Sequence, residues 1–130
     1  MKKIVSFLLP LILFSACQES LEKRAARTLQ DYTEKNCPMQ LSETIMMDSC
    51  AFEPEGHIMH YYYTLMGAMD NDSTLNKEAM RKLLVEALRN ETSTRTYKEA
   101  GYSFKYSYYS QKERGKLIFE TTMTTEDYSN

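Results

Sequence analysis

The chain has 130 residues, 42% of them hydrophobic, which is enough for one packed domain and too few for two. Its formal net charge is −2, from 16 basic and 18 acidic residues, so it has no positive field to hold a nucleic-acid backbone or grip an anionic lipid surface. Ten tyrosines and no tryptophan make tyrosine the main aromatic residue.

The chain opens with Lys2 and Lys3, followed by an apolar run, Ile4–Phe14, broken only by Ser6 and Pro10. Ser15 and Ala16 are the small residues that a signal peptidase needs beside its cut. A bilayer takes roughly 20 apolar residues to cross, so this shorter run reads as a leader. Residues 1–17 resemble a bacterial lipoprotein signal peptide, with Phe14-Ser15-Ala16-Cys17 in the place of the lipobox and Phe14 standing where leucine is usual. The resemblance implies cleavage before Cys17, a diacylglycerol on its thiol and an acyl chain, such as palmitate, on the freed amine. At about 0.8 kcal/mol per buried methylene, several chains on one residue hold a protein to a membrane permanently. By the sorting habit of that family, Gln18 directs the protein to the outer rather than the inner membrane of the cell envelope. The expected organisation is a signal peptide at 1–16, a lipidated tether at 17–20 and a single domain at 21–128. Loss of Lys2 and Lys3 leaves the mature chain at −4.

In the domain, Ser20 is placed to cap a helix from Leu21 to about Asn36, with Leu21, Ala25, Leu29 and Tyr32 as its apolar stripe. Pro38 ends it. In the next stretch Ile45, Met47 and Ser49 alternate with Thr44, Met46 and Asp48, which predicts a strand. Glu53-Pro54-Glu55-Gly56 is a turn signal, and His57–Met66 reads as the returning strand. A polar loop, Asp70–Thr74, leads into a second helix whose apolar positions run from Leu75 through Ala79, Met80, Leu84 and Ala87. Leu83, Leu84 and Leu88 are expected to pack on the sheet, and Arg81 to face solvent. From Gly101, Tyr102, Phe104, Tyr106 and Tyr108 alternate with Ser103, Lys105, Ser107 and Tyr109. Gln111–Gly115 is a turn, and Lys116–Thr125 the last strand.

The order α-ββ-α-ββ predicts an α+β fold. Two α-β-β units would form a four-stranded antiparallel sheet with both helices packed on one face. By element order alone, the domain is similar to small periplasmic domains of the PepSY-like and β-lactamase-inhibitor-protein-like class, a resemblance that carries no function with it.

An oxidising compartment favours a bridge between Cys37 and Cys50. An extended strand over 42–50 would carry the two beyond the roughly 5.5 Å Cα separation a bridge needs, so two thiols are expected. His57 and His60 lie three apart in a strand and so point to opposite faces, which argues against a shared metal ion. The methionines read as fillers of an irregular core. The chain has no nucleophile elbow, phosphate-cradling loop or zinc-protease motif, so no enzyme and no cofactor are expected.

The aromatic alternation leaves one sheet face without a covering element. That face is expected to carry Ile58, His60, Tyr62, Lys105, Tyr109 and Ile118, a mixture of aromatic, aliphatic and charged residues suited to recognising a protein. The expectation is therefore a lipid-anchored, non-enzymatic protein-binding or inhibitor-like module, held to the membrane through Cys17. An envelope assembly protein, a carrier of a small apolar ligand and a metal-handling protein are the alternatives.

Overall fold

The computed structural model describes residues 19–129, so the leader and Cys17 lie outside the described residues. Helix α1 spans Leu21–Asn36 and starts where Ser20 accepts a hydrogen bond from the Lys23 N–H at 3.2 Å. It buries Ala25 and Leu29. One turn on, the Thr33 hydroxyl accepts from the Cys50 N–H and donates to the Cys50 carbonyl, both at 2.9 Å. These backbone groups lie on strand β2 (Ile45–Glu53), past the point where its neighbour β1 (Met39–Gln40) stops pairing. Thr33 therefore closes a stretch of strand edge that would otherwise be unpaired.

The sheet has five strands in the order β1-β2-β3-β4-β5, with β3 at Ile58–Leu65, β4 at Ser103–Ser110 and β5 at Leu117–Met123. The α+β class agrees with the expectation, whereas the four-stranded antiparallel sheet does not. Pairing is antiparallel for β1–β2, β2–β3 and β4–β5, and parallel for β3–β4, from Ile58↔Ser103 to Leu65↔Ser110. The cause is the connection. After Leu65 the chain runs through a 3₁₀ turn (Gly67–Met69), α2 (Lys77–Asn90) and α3 (Arg95–Glu99), and returns to the end of the sheet where β3 began. Parallel pairing needs a crossover of about a dozen residues or more, and this connection is long enough. The extra strand β1 is too short to show in any alternation.

Helices α1 and α2 share one hydrophobic core with Met59, Leu65, Phe104 and Met123, so both lie on the same face of the sheet. Asn76 caps α2, its side chain accepting from the Ala79 N–H at 3.0 Å. The packed face of α2 differs from the expected one. Leu88 is fully buried and Leu84 half-buried, but Leu83 is 68% exposed. Arg81, expected in solvent, instead pairs with Asp127 at 3.0 Å. Asp127 belongs to a short terminal helix, α4 (Thr125–Tyr128), which was not foreseen and which packs against α2. A hydrogen bond from the Thr124 N–H, with the Arg81 charge adding, holds the Asp127 carboxyl below the usual carboxylate range.

Two irregularities reset the alternation. At Asp48 the β2–β3 register shifts, so Cys50 and Phe52, not Ser49, continue the core face begun by Ile45 and Met47. The second lies between β4 and β5, where the register shifts after Tyr108. Cys37 and Cys50 are free thiols, Cys37 half-buried and Cys50 buried.

The helix face gives a direct test. Leu88→Ala should cost about 2–5 kcal/mol from lost transfer energy and the cavity it leaves. Leu83→Ala should cost less than about 0.5 kcal/mol. Urea titration of both variants checks the assignment, and equal losses would refute it.

Candidate functional site

The sheet has two unlike faces, set by the register of the central strands. On the face away from the helices, His60 of β3 sits opposite Lys105 of β4, Tyr62 opposite Ser107 and Thr64 opposite Tyr109. Ile58, Tyr62, Lys105 and Tyr109 are half-buried there, and none of the described helices covers them. Two residues expected on this surface are not available to a partner. Ile118 lies at a bulge, where Tyr108 pairs with Phe119 but Tyr109 pairs with Leu117, and it is buried with the core. Leu117, 43% exposed, is the apolar residue beside Tyr109 instead.

His60 is 5% exposed because Tyr62 stacks on it at 4.0 Å and its ring is bonded at both nitrogens. Nδ1 meets the Glu53 carboxylate, and Nε2 lies 2.7 Å from the Ser107 hydroxyl. This order of carboxylate, imidazole and serine matches a hydrolytic triad, but the single Ser107 hydroxyl proton is contested, since its oxygen lies 2.7 Å from both the His60 ring and the Glu120 carboxylate. Ser107 is also 0% exposed. The arrangement is an internal polar network, extended at its edge by Lys105 with Glu120 at 3.9 Å.

His57 and His60 are separated as expected. His57, in the left-handed region at φ 50°, pairs with Glu22 at 3.0 Å and stacks on Tyr102 at 5.0 Å. Among the described residues no group of three or more His, Cys, Asp or Glu is placed to hold a metal ion.

On the helix-covered face, β3 and β4 align Tyr61 with Tyr106 and Tyr63 with Tyr108. The Tyr63 and Tyr108 rings stack at 4.5 Å, and Tyr61 tilts over Tyr106 at 5.2 Å. Burial pushes all four phenols up, Tyr108 to about 12.

Above the Tyr61 end of this row lies a cleft of about 270 Å³. Helix α1 supplies one wall through Thr28, Leu29 and Tyr32, and Met47, Met59 and Tyr61 form the floor. The opposite wall is the α2–α3 connection and α3, with Glu91, Thr94 and Tyr97. Thr94 is 6% exposed, and its hydroxyl is the one buried side-chain polar atom among the described residues without a hydrogen-bond partner. A larger depression of about 690 Å³ runs along α2 among Glu78, Arg81, Lys82, Glu86 and Arg89, but long charged side chains of a single helix enclose nothing. The cleft draws on four separate segments, so no single stretch of sequence announces it.

The family model described as a domain of unknown function (DUF8479) matches residues 20–119, and the chain belongs to that family. No curated protein matches it in sequence. Three solved structures share its fold. The pilotin EpsS of the Vibrio vulnificus type 2 secretion system aligns with a TM-score of 0.68 at 13% identity, over 85% of this chain and 93% of that one. The type II secretion system pilotin AspS of Vibrio cholerae aligns with a TM-score of 0.62 at 15% identity, over 82% and 91%. A Pseudomonas aeruginosa protein described as secreted aligns with a TM-score of 0.66 at 14% identity, over 85% and 98%.

Two predictions follow from the faces. Ser107→Ala breaks the bridge between His60 and Glu120 and should cost about 1–3 kcal/mol by leaving a buried partner unsatisfied, which thermal unfolding at neutral pH checks. The tyrosine row should make the fold alkali-sensitive. The folded-state phenol values are raised, so their contribution is fully present below about pH 10, the unfolded value, and is lost as pH rises towards the folded values. Tyrosinate absorbance should therefore reach its full ten-phenol value only as the circular dichroism is lost, above about pH 10. Ionisation of all ten phenols in a folded protein would refute the burial of the row.

Proposed function

We propose that the protein is a lipid-anchored, non-enzymatic component of the bacterial envelope that binds another protein, in a role comparable to that of a secretion-system pilotin. The main support is the fold, which spans 93% and 91% of the two pilotins. The lipobox-like Phe14-Ser15-Ala16-Cys17 supports attachment through Cys17, and Gln18 supports the outer membrane.

The cleft is the better candidate for the contact. At about 270 Å³ it falls just below the roughly 300–1,000 Å³ of sites that enclose a whole small molecule, and it suits an anchoring side chain of a partner. That size favours a protein partner over an apolar carrier role. A second reading places the contact on the uncovered sheet face, supported by half-buried Tyr62 and Tyr109 beside Ile58 and Lys105.

Lipid labelling and envelope crosslinking test both parts. Cys17→Ser should lose labelled palmitate and leave the membrane fraction. A photo-crosslinking residue at Tyr32, on the cleft, should capture one protein from the native envelope, and the same residue at Tyr109 should not. Retention of the Cys17→Ser protein on the membrane would refute the anchor. Capture only from Tyr109 would move the contact to the sheet face.

A further inference from the structure

Resting on the protein-binding reading, we infer that the cleft between α1 and the α2–α3 connection is built to receive an arginine side chain presented by the partner. The lining is mainly aromatic and aliphatic with a single charge. Its only charged residue is Glu91, and no Lys, Arg or His lines it. Two of the cations just outside are already engaged, while Arg95 lies with Glu91 along a neighbouring depression. Lys98 donates to the carbonyls of Leu88, Arg89 and Glu91 at the end of α2, and Arg27 pairs with Glu19 at 2.5 Å. The Ser93 hydroxyl donates to one Glu91 oxygen at 2.7 Å, which orients the carboxylate without neutralising it. The negative charge of Glu91 is felt within the aromatic floor, where it adds to the upward shift that burial imposes on the Tyr61 and Tyr106 phenols.

The uncharged part of the lining fits the same ligand. Tyr32, Tyr61 and Tyr97 contribute aromatic rings, and Leu29, Met47 and Met59 line the apolar part. A guanidinium stacks on aromatic faces, and its methylene stem packs against aliphatic side chains. Its donors would meet the Glu91 carboxylate. An apolar side chain would fill the space and leave that charge unanswered. An acidic one would meet Glu91 with like charge.

Panning a phage-displayed random peptide library against the folded domain tests this, with selected peptides mapped by amide shifts at Thr94 and Tyr61. Peptides that map to the cleft should share an arginine. Replacing it by glutamine should weaken binding about tenfold or more, as should Glu91→Gln in the protein at low salt, with a smaller loss at high salt. Cleft-directed peptides that lack arginine, or bind Glu91→Gln as tightly, would overturn the inference and leave the protein-binding reading standing. A library that yields no cleft-directed peptide would overturn both.

Discussion

The parallel pairing of β3 with β4 is the constraint on which the rest of the molecule depends. Both strands are interior, so the two faces of the sheet are set by one register. With Tyr61 opposite Tyr106 and Tyr63 opposite Tyr108, the phenols fall on the helix side, and His60, Tyr62, Lys105 and Ser107 fall on the other. A slip of one residue would move the phenols into water and the network into the core. Stacked aromatic pairs add about 0.5–1.5 kcal/mol each beyond the area they bury, so the tyrosine row itself penalises that slip.

The same pairing explains why a cleft exists. A parallel connection must return along the sheet, and here it does so on the face that α1 already occupies. Helix α1 packs on β2, near one edge, while α2 packs on β5 and the terminal α4, near the other. The centre of the sheet therefore lies between two helices rather than beneath either. Over Tyr61, the segment that leads from α2 into α3 forms the second wall.

Much of this was legible in the sequence. The Ser20 cap, the Leu21–Asn36 helix and the strand alternation from Ser103 to Tyr109 follow from local chemistry, and the structure has them at those positions. Local chemistry did not carry the rest. Asp48 and Ile118 sit at register shifts, and an extra residue in a strand leaves no mark on composition while reversing every side chain beyond it. The face of α2 was ambiguous because Leu83 and Leu84 are adjacent, and the choice fell to Asp127, 46 positions after Arg81 in the chain. Strand direction was hidden for a different reason. An α-ββ-α-ββ order is compatible with either a parallel or an antiparallel centre, and the path of 66–102 decides between them. Of the expected surface, Tyr62, Tyr109, Lys105 and Ile58 keep their places on the uncovered face, whereas the burial of His60 comes from Tyr62 and Ser107, contacts that alternation does not encode.

The two faces differ in what binding would return. On the uncovered face Glu53, His60, Ser107 and Glu120 already bond to one another, so a partner would exchange bonds there, and exchanged hydrogen bonds contribute little net free energy. In the cleft the aromatic and aliphatic lining has no such bonds to exchange, so apolar surface that a partner buries there adds free energy outright. The strands and α1 fix the backbone of that cleft, while the α2–α3 connection supplies its one charged group, Glu91. The charge of the cleft thus lies in a loop that the sheet does not constrain, and a chain can keep this fold while that charge changes.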